Sequence, residues 1–412
     1  MAGLNETPKG DRVHIAFFGL RNAGKSTLVN RLTGQDVAIV SDVAGTTTDP
    51  VSKAMEILPL GPCLVTDTAG LDDEGPLGEM RVKKSLEVLA TTDIAVWVDD
   101  GTAVAASCDP PAEEPSQMRG SQLAATVGAR GAGVVNGPAY ARFLAACRAR
   151  DIAVLHYRRG DDVDAFRREL AAVHLADAPR PLVRDLVTSG DIVVCVCPID
   201  ESAPKGRLIL PQQQVVRELL DAGASALVCQ PPQLAAILGR AVAPRPPELP
   251  LPVKFVITDS QAFQAVAAVM PPEIPLTSFS IVFARAKGDL AAYCAGAAAL
   301  ATLKDGDRVL ISEGCTHHRQ CNDIGTVKLP KWISAKTGKK LAFEWTSGNA
   351  FPEDLSPYAL VVHCGGCMLT RRAVQARIAR CRDAGVPITN YGVCIAACHG
   401  ITASPTTCMV LR

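Results

Sequence analysis

Close to its amino end the chain reads Val13-His-Ile-Ala-Phe-Phe-Gly-Leu-Arg-Asn-Ala-Gly-Lys-Ser-Thr-Leu-Val-Asn-Arg-Leu32. Val13 to Phe18 is a short apolar run that predicts a β-strand, and Ser26 to Leu32 has helical character. The segment between them, Gly19 to Ser26, fits the eight-position phosphate-loop pattern. Because such a loop needs a strand before it and a helix after it, the segment predicts an α/β nucleotide-binding domain.

Each part of this loop has a chemical role. Its glycines let backbone N–H groups curl around phosphate oxygens, Lys25 reaches the β- and γ-phosphates, and the Ser26 hydroxyl ligates magnesium. A chance match is the alternative, and the motifs further along the chain argue against it. The predicted nucleotide-binding residues of the loop are Gly19, Asn22, Ala23, Gly24, Lys25, Ser26 and Thr27.

Two later motifs supply further parts of a nucleotide-hydrolysing site. Asp67-Thr-Ala-Gly70 follows a predicted strand, Cys63 to Thr66. This position suits an Asp that holds magnesium through water and a Gly whose N–H contacts the γ-phosphate. Gly45-Thr-Thr-Thr48 lies between the loop and this motif, where a mobile switch would offer a Thr hydroxyl to magnesium.

Apolar runs and helical stretches alternate along the chain. The first part contains predicted strands at Cys63 to Thr66, Ile94 to Val98 and Ile152 to Tyr157, and predicted helices at Glu79 to Leu89 and Tyr140 to Arg150. This alternation predicts a mainly parallel sheet with helices on both faces. Later strand and helix signals predict two further α/β parts. The predicted domains cover residues 1–178, 179–277 and 278–412.

Composition excludes several classes of function. Lys plus Arg and Asp plus Glu both total 42, so the formal charge is zero and offers no electrostatic footprint for nucleic acid or an anionic membrane. Met1 to Arg12 is polar and lacks the apolar core of a signal peptide. We therefore expect a cytoplasmic protein, in which the fifteen cysteines are thiols or metal ligands rather than a disulfide framework.

Cysteine and histidine cluster in the last third of the chain. Cys315-Thr-His317 is followed by His363-Cys364-Gly-Gly-Cys367. Three thiolates are one short of the four that usually hold a four-iron cluster, so one iron would keep an exchangeable position. Zinc binding and thiol redox chemistry are alternatives for a Cys-x-x-Cys pair.

The nucleotide motifs resemble the GTPase branch that includes Era, Der and the tRNA-modification GTPase MnmE. The resemblance implies that Thr47 binds magnesium, that Asn22 helps to bind potassium, and that the catalytic residues are Lys25, Thr47, Asp67 and Gly70. Leu71 stands where Ras-type enzymes carry a water-orienting Gln. We therefore expect slow hydrolysis that is stimulated by potassium.

The base-reading motif departs from this branch. Where Asn-Lys-x-Asp is usual, the chain reads Arg158-Arg-Gly-Asp161, so only the Asp that pairs with guanine is kept. Asp161 is the predicted guanine-binding residue, and a solvated loop is the alternative. GTP is inferred from the resemblance, and ATP or relaxed specificity stays open.

A second resemblance covers nearly the whole chain. Segments such as Asp191 to Asp200, Thr258 to Phe263 and Ala284 to Asp289, together with the complete Cys-x-His and His-Cys-x-x-Cys pattern, resemble the HydF family of [FeFe]-hydrogenase maturation GTPases. The resemblance implies a dimerisation domain in the middle and a [4Fe-4S] cluster on the last domain. The implied cluster ligands are Cys315, Cys364 and Cys367, with His317 and His363 as a fourth ligand or as outer hydrogen-bonding partners.

The function implied is a GTP- and magnesium-binding scaffold, a homodimer or higher oligomer. It would receive the diiron subcluster made by two radical-SAM maturases as transient cargo and deliver it to apo-[FeFe]-hydrogenase. One alternative is an MnmE-like tRNA-modification GTPase, which the neutral charge disfavours. Another is a GTPase with a structural zinc bound by Cys315, His317, Cys364 and Cys367.

Overall fold

Two compact units, Met1–Ala178 and Pro179–Arg412, make up the chain. The computed structural model describes residues 7, 9–33, 51–58, 60–72, 75–100, 137–150, 152–176, 180–199, 208–239, 252–314, 323–348 and 350–401. Within these residues no helix is both long and apolar enough to cross a bilayer.

The first unit is built on a five-stranded sheet in the order β2-β3-β1-β4-β5. Its strands are β1 (Val13–Gly19), β2 (Val51–Ile57), β3 (Gly61–Asp67), β4 (Ile94–Asp99) and β5 (Ala153–Arg158). All neighbouring strands pair in parallel except β2, which pairs antiparallel with β3 at the edge. The predicted α/β fold class is confirmed, and β2 is the one described strand of this sheet that the sequence reading missed.

Helices cover both faces of this sheet. They are α1 (Lys25–Thr33), α2 (Gly75–Glu87), α3 (Pro138–Arg148) and α4 (Val163–Ala176). Successive side chains of β1 point to opposite faces, so Ile15 and Phe17 enter one apolar core while Ala16 and Phe18 enter the other. A strand buried on both faces explains why β1 reads as a continuous apolar run.

The second unit contains two four-stranded parallel sheets, in the orders β7-β6-β8-β9 and β11-β10-β12-β13. The first has strands β6 (Ile192–Val196), β7 (Ser225–Cys229), β8 (Val253–Thr258) and β9 (Leu276–Ser278). The second has strands β10 (Arg308–Ser312), β11 (Ala342–Thr346), β12 (Leu360–His363) and β13 (Ile388–Asn390).

Helices of the second unit connect and cover these sheets. They are α5 (Leu210–Asp221), α6 (Leu234–Ile237), α7 (Phe263–Ala267), α8 (Phe279–Lys287), α9 (Leu290–Ala298), α10 (Leu329–Thr337), α11 (Arg371–Asp383) and α12 (Tyr391–Cys398). A single apolar core runs through both sheets, from Val193 in β6 to Val361 in β12. Helix α8 follows β9 directly and is buried over most of its length.

Helix α9 lies close against β13 at Gly296. A Cβ atom on this glycine would lie 1.9 Å from the carbonyl oxygen of Ile388 and 3.0 Å from the backbone nitrogen of Thr389. Real Cβ atoms do not approach backbone so closely, so only glycine fits between the helix and the strand.

We expect Gly296→Ala to lower the free energy of unfolding of the second unit. On an exposed helix site Gly→Ala stabilises by about 1 kcal/mol, whereas the forced shift of α9 from β13 costs about 1–3 kcal/mol. Urea unfolding of the full chain, followed by tryptophan fluorescence, measures the change. Ala295→Gly, on the exposed side of the same helix, is the control. A Gly296→Ala substitution that stabilises the chain would contradict the close packing of α9 against β13.

Candidate functional site

The phosphate loop lies at the carboxyl end of β1 and turns directly into α1. Asn22 has a φ of 60°, the left-handed region that asparagine tolerates better than most side chains. Lys25 is buried, and its Nζ donates to the carbonyl oxygens of Leu20 at 2.8 Å and Gly19 at 3.4 Å. The ammonium group is therefore held over the mouth of the loop, where phosphate oxygens can replace these carbonyl partners.

Two oxygen ligands suited to magnesium meet beside this loop. The Ser26 hydroxyl donates to Asp67 Oδ2 at 2.8 Å, although the residues are far apart in sequence. Asp67 Oδ1 is buried without a hydrogen-bond partner in the described structure. Burial raises the pKa of Asp67 above its ordinary value, and the Ser26 hydrogen bond opposes that shift. An orphaned carboxylate oxygen next to a serine hydroxyl fits a hard divalent cation.

Gly70 lies against the phosphate loop. A Cβ atom on Gly70 would come within 2.9 Å of the Arg21 backbone nitrogen and 2.7 Å of Asp72 Oδ1. Asp72 Oδ1 itself accepts a hydrogen bond of 2.7 Å from that Arg21 nitrogen. The sequence reading missed Asp72; its acidic character next to Asp67-Thr-Ala-Gly70 was the available signal. Leu71 is only 7% exposed and packs into the core of the first unit, so its side chain cannot orient water.

Asp161 lies at the end of β5, where it was predicted to read a base. Its Oδ2 accepts from the Arg158 backbone nitrogen at 2.9 Å, and the Tyr157 hydroxyl donates to its carbonyl oxygen at 3.1 Å. These bonds fix the turn while Asp161 stays exposed. A small pocket lies between α1 with its phosphate loop and the end of β5, and Asp161 is not part of its lining. The residues that line this pocket are Ala23, Gly24, Thr27, Leu28, Arg31, Tyr157 and Arg159.

The cysteine motif lies at the carboxyl edge of the second sheet. Strands β10 and β12 pair in parallel with Ser312 opposite His363, so the segments after them leave the sheet side by side. Cys364 Sγ accepts backbone N–H bonds from Gly314 at 3.0 Å and Gly366 at 3.4 Å. Burial raises the pKa of Cys364, and these two N–H groups oppose the shift by stabilising the thiolate.

Side chains from neighbouring elements hold the loop that carries the two cysteines. Lys287 Nζ donates to the carbonyl oxygens of Cys367 at 3.3 Å and Leu369 at 3.0 Å. Asn390 Nδ2 donates to the Cys364 carbonyl at 3.2 Å, and its Oδ1 accepts from the Ser280 hydroxyl at 3.1 Å. The loop is therefore fixed from α8 and from the end of β13. None of these partners was singled out from the sequence.

His363 is fully buried, and both of its ring nitrogens are engaged. Nδ1 lies 2.7 Å from the Cys364 carbonyl oxygen, which can only accept, so Nδ1 carries the proton. Nε2 then accepts from Arg377 at 3.1 Å. Burial, followed by the charge of Arg377, lowers the pKa of His363 to about 3. The neutral ring acts here as a hydrogen-bonding partner of the Cys364 backbone.

His363, Cys364 and Cys367 lie in one segment after β12, but within the described residues no three His, Cys, Asp or Glu side chains are grouped so that they could hold a metal ion. The structure does not describe every predicted site residue. Thr47, Cys315 and His317 lie outside the described residues. Gly314, whose N–H contacts Cys364, is the last described residue before position 315. The roles of the predicted ligands accordingly stay predictions.

Family models account for most of the chain. The hydrogen maturase F dimerization domain matches residues 182–288, and the hydrogen maturase F tetramerization domain matches residues 291–404. Together these two models cover more than half of the sequence. The chain belongs to the hydrogen maturase F family. A 50S ribosome-binding GTPase model matches residues 14–125, in agreement with the predicted P-loop GTPase domain.

Curated relatives match a smaller part of the chain. The tRNA modification GTPase MnmE of Azorhizobium caulinodans is 40% identical over 134 residues, which are 31% of this chain and 29% of the relative. GTPase Der of Xylella fastidiosa is 45% identical over 94 residues, 22% of this chain and 20% of the relative. The chain thus spans less than a third of either protein. A solved structure of Aquifex aeolicus Era is 14% identical with a TM-score of 0.24, and the match covers 82% of this chain and 94% of Era.

We expect Ser26→Ala to weaken magnesium binding, because the variant loses the predicted hydroxyl ligand and leaves Asp67 Oδ2 without its donor. The magnesium concentration for half-maximal GTP hydrolysis should rise about tenfold, which corresponds to 1.4 kcal/mol. Ser52→Ala is the matched control, since that hydroxyl pairs with Thr66 Oγ1 in the same sheet. Equal magnesium requirements in both variants would contradict the site.

Proposed function

We infer that this chain is a GTP-hydrolysing scaffold that holds a [4Fe-4S] cluster and carries the diiron subcluster to apo-[FeFe]-hydrogenase. The observation that carries the proposal is the thiolate-stabilising pair of N–H groups at Cys364, one of them on Gly314, which directly precedes Cys315 in sequence. Membership of the hydrogen maturase F family supports it.

The residues present fit an iron–sulfur cluster. Cys364 and Cys367 are half-buried residues, and backbone N–H bonds to sulfur are the outer interactions by which proteins stabilise such clusters. Cys315, Cys364 and Cys367 would hold the cluster, and three thiolates would leave one iron with an exchangeable position for the diiron cargo. Both nitrogens of the His363 ring are engaged elsewhere, which disfavours His363 as the fourth ligand. The zinc alternative uses His317 instead, and metal analysis distinguishes it from the cluster.

Hydrolysis depends on residues that surround the phosphates. Lys25 binds the β- and γ-oxygens, Ser26 and Thr47 ligate magnesium, and Asp67 holds it through water. The Gly70 N–H would contact the γ-phosphate. Since Leu71 is in the core, no side chain at that position activates water, and we propose slow hydrolysis stimulated by potassium bound at Asn22.

Nucleotide state would be read by the segments around Thr47 and Gly70. The contact between Asp72 and the Arg21 backbone shows that the second of these segments already touches the phosphate loop. We propose that its rearrangement alters docking of the two radical-SAM maturases or of the hydrogenase. The matched dimerization and tetramerization domains support a homodimer or higher oligomer, with 179–277 proposed as the dimerisation part and 278–412 as the cluster-binding part.

Loading with iron and sulfide tests the proposed binding of a [4Fe-4S] cluster. After anaerobic reconstitution with iron and sulfide, we expect the wild-type chain to show a four-iron EPR signal when reduced, and Cys364→Ser to lose it. Cys381→Ser is the matched control, because Cys381 is a buried thiol of the same unit on α11. Stoichiometric zinc without a cluster in the wild type would overturn the proposal.

The dependence of GTP hydrolysis on the monovalent cation tests the proposed role of potassium. We expect GTP hydrolysis to be faster in potassium than in sodium by about tenfold or more, the effect of one stabilising charge near the transition state. Asn22→Gly should abolish the difference, since glycine accepts the φ of 60° without strain while removing the side-chain oxygen. Equal rates of the wild-type chain in the two salts would refute a potassium role.

A further inference from the structure

Arg377 on α11 is a buried cation beside the cysteine motif. Arg377 is 5% exposed, and its Cζ lies 5.2 Å from the centroid of the Phe351 ring. The guanidinium donates to Ser312 Oγ at 3.2 Å, to His363 Nε2 at 3.1 Å and to the Gly348 carbonyl at 2.6 Å. Every one of these hydrogen-bond partners is formally neutral.

A guanidinium that is buried among neutral partners is costly, because it stays protonated and loses its hydration. Hydrogen bonds and the aromatic ring offset part of this cost, but a nearby negative charge would offset more. The hydrogen bond from Arg377 to His363, the residue before Cys364, places this buried charge next to the cysteine motif. The arrangement therefore favours a negative centre at the cysteine motif.

His363 connects Arg377 to that motif. Arg377 donates to Nε2, which fixes the proton on Nδ1, and Nδ1–H in turn donates to the Cys364 carbonyl. Ser312, another partner of Arg377, ends the strand that leads to Gly314. One side chain thus contacts the ends of both strands from which the predicted ligand segments extend.

We propose that Arg377 is the buried counter-charge of the iron–sulfur cluster and a positioning residue that keeps His363 as a neutral spacer rather than an iron ligand. This inference rests on the proposed cluster-binding function. A cluster bound by thiolates is anionic, and one-electron reduction by an added reductant such as dithionite increases its negative charge. Arg377 therefore stabilises the reduced cluster more than the oxidised one.

The test is an EPR-monitored redox titration of the reconstituted full-length chain. We expect Arg377→Met to lower the equilibrium constant for cluster reduction about tenfold, which is 59 mV for a one-electron couple. Arg377→Lys retains the charge and should shift the potential by less than half as much. Arg380→Met is the matched control: Arg380 lies on the same helix with Cζ 5.0 Å from the Phe351 centroid, but it is half-exposed and donates to Pro352 instead.

The outcomes separate this inference from the function on which it rests. If the wild type loads a cluster and Arg377→Met shifts the reduction potential no more than Arg380→Met, the counter-charge role of Arg377 is refuted. The scaffold function then still stands. If the wild type loads no cluster, the scaffold function fails.

A second variant tests the spacer role even if Arg377→Met does not fold. His363→Gln offers one amide oxygen to Arg377 and one N–H to the Cys364 carbonyl, so we expect wild-type iron content and an unchanged EPR spectrum. Loss of a directly coordinated nitrogen coupling in the pulsed EPR spectrum of His363→Gln would show that His363 binds iron, and would overturn the inference.

Discussion

Parallel strand pairing is the constraint on which both candidate sites depend. In the first unit, β1 pairs with β3 so that Phe17 lies opposite Asp67, and the phosphate loop leaves the sheet beside this carboxylate. In the second unit, the pairing of β10 with β12 places Gly314 beside Cys364. Because side chains alternate between faces, a register shift of one residue would separate Asp67 from Ser26 and Cys364 from Gly314.

Sequence alone predicts the parts of the structure that depend on local pattern. The apolar run of β1, the glycine loop and the start of α1 follow one another as expected, since each is specified by neighbouring residues. Strand β2 escaped prediction because it is an edge strand whose exposed polar positions, Ser52 and Glu56, interrupt any apolar run. Its strand character comes from pairing with β3 rather than from its own composition.

Burial of charge was the least predictable property of the site. Helix α11 reads Arg-Arg-Ala-Val-Gln-Ala-Arg-Ile-Ala-Arg-Cys-Arg-Asp, a composition typical of a solvated surface helix. Only the packed structure distinguishes Arg377, which points inward to His363, from Arg380, which remains half-exposed on the same helix. Likewise, the motif shows that Leu71 replaces the water-orienting glutamine. Its place in the core, however, depends on the packing of α2 and α3.

The shared core of the two sheets in the second unit has a mechanical consequence. Helix α8 is buried in this core, and Ser280 at its start donates to Asn390, which in turn donates to the Cys364 carbonyl. Helix α8 thereby holds the loop at Cys364. In the part of this unit that the structure describes, separating one sheet from the other would expose the apolar surface of the shared core. A displacement of the sheet that contains β6 is therefore expected to move the cysteine loop with it.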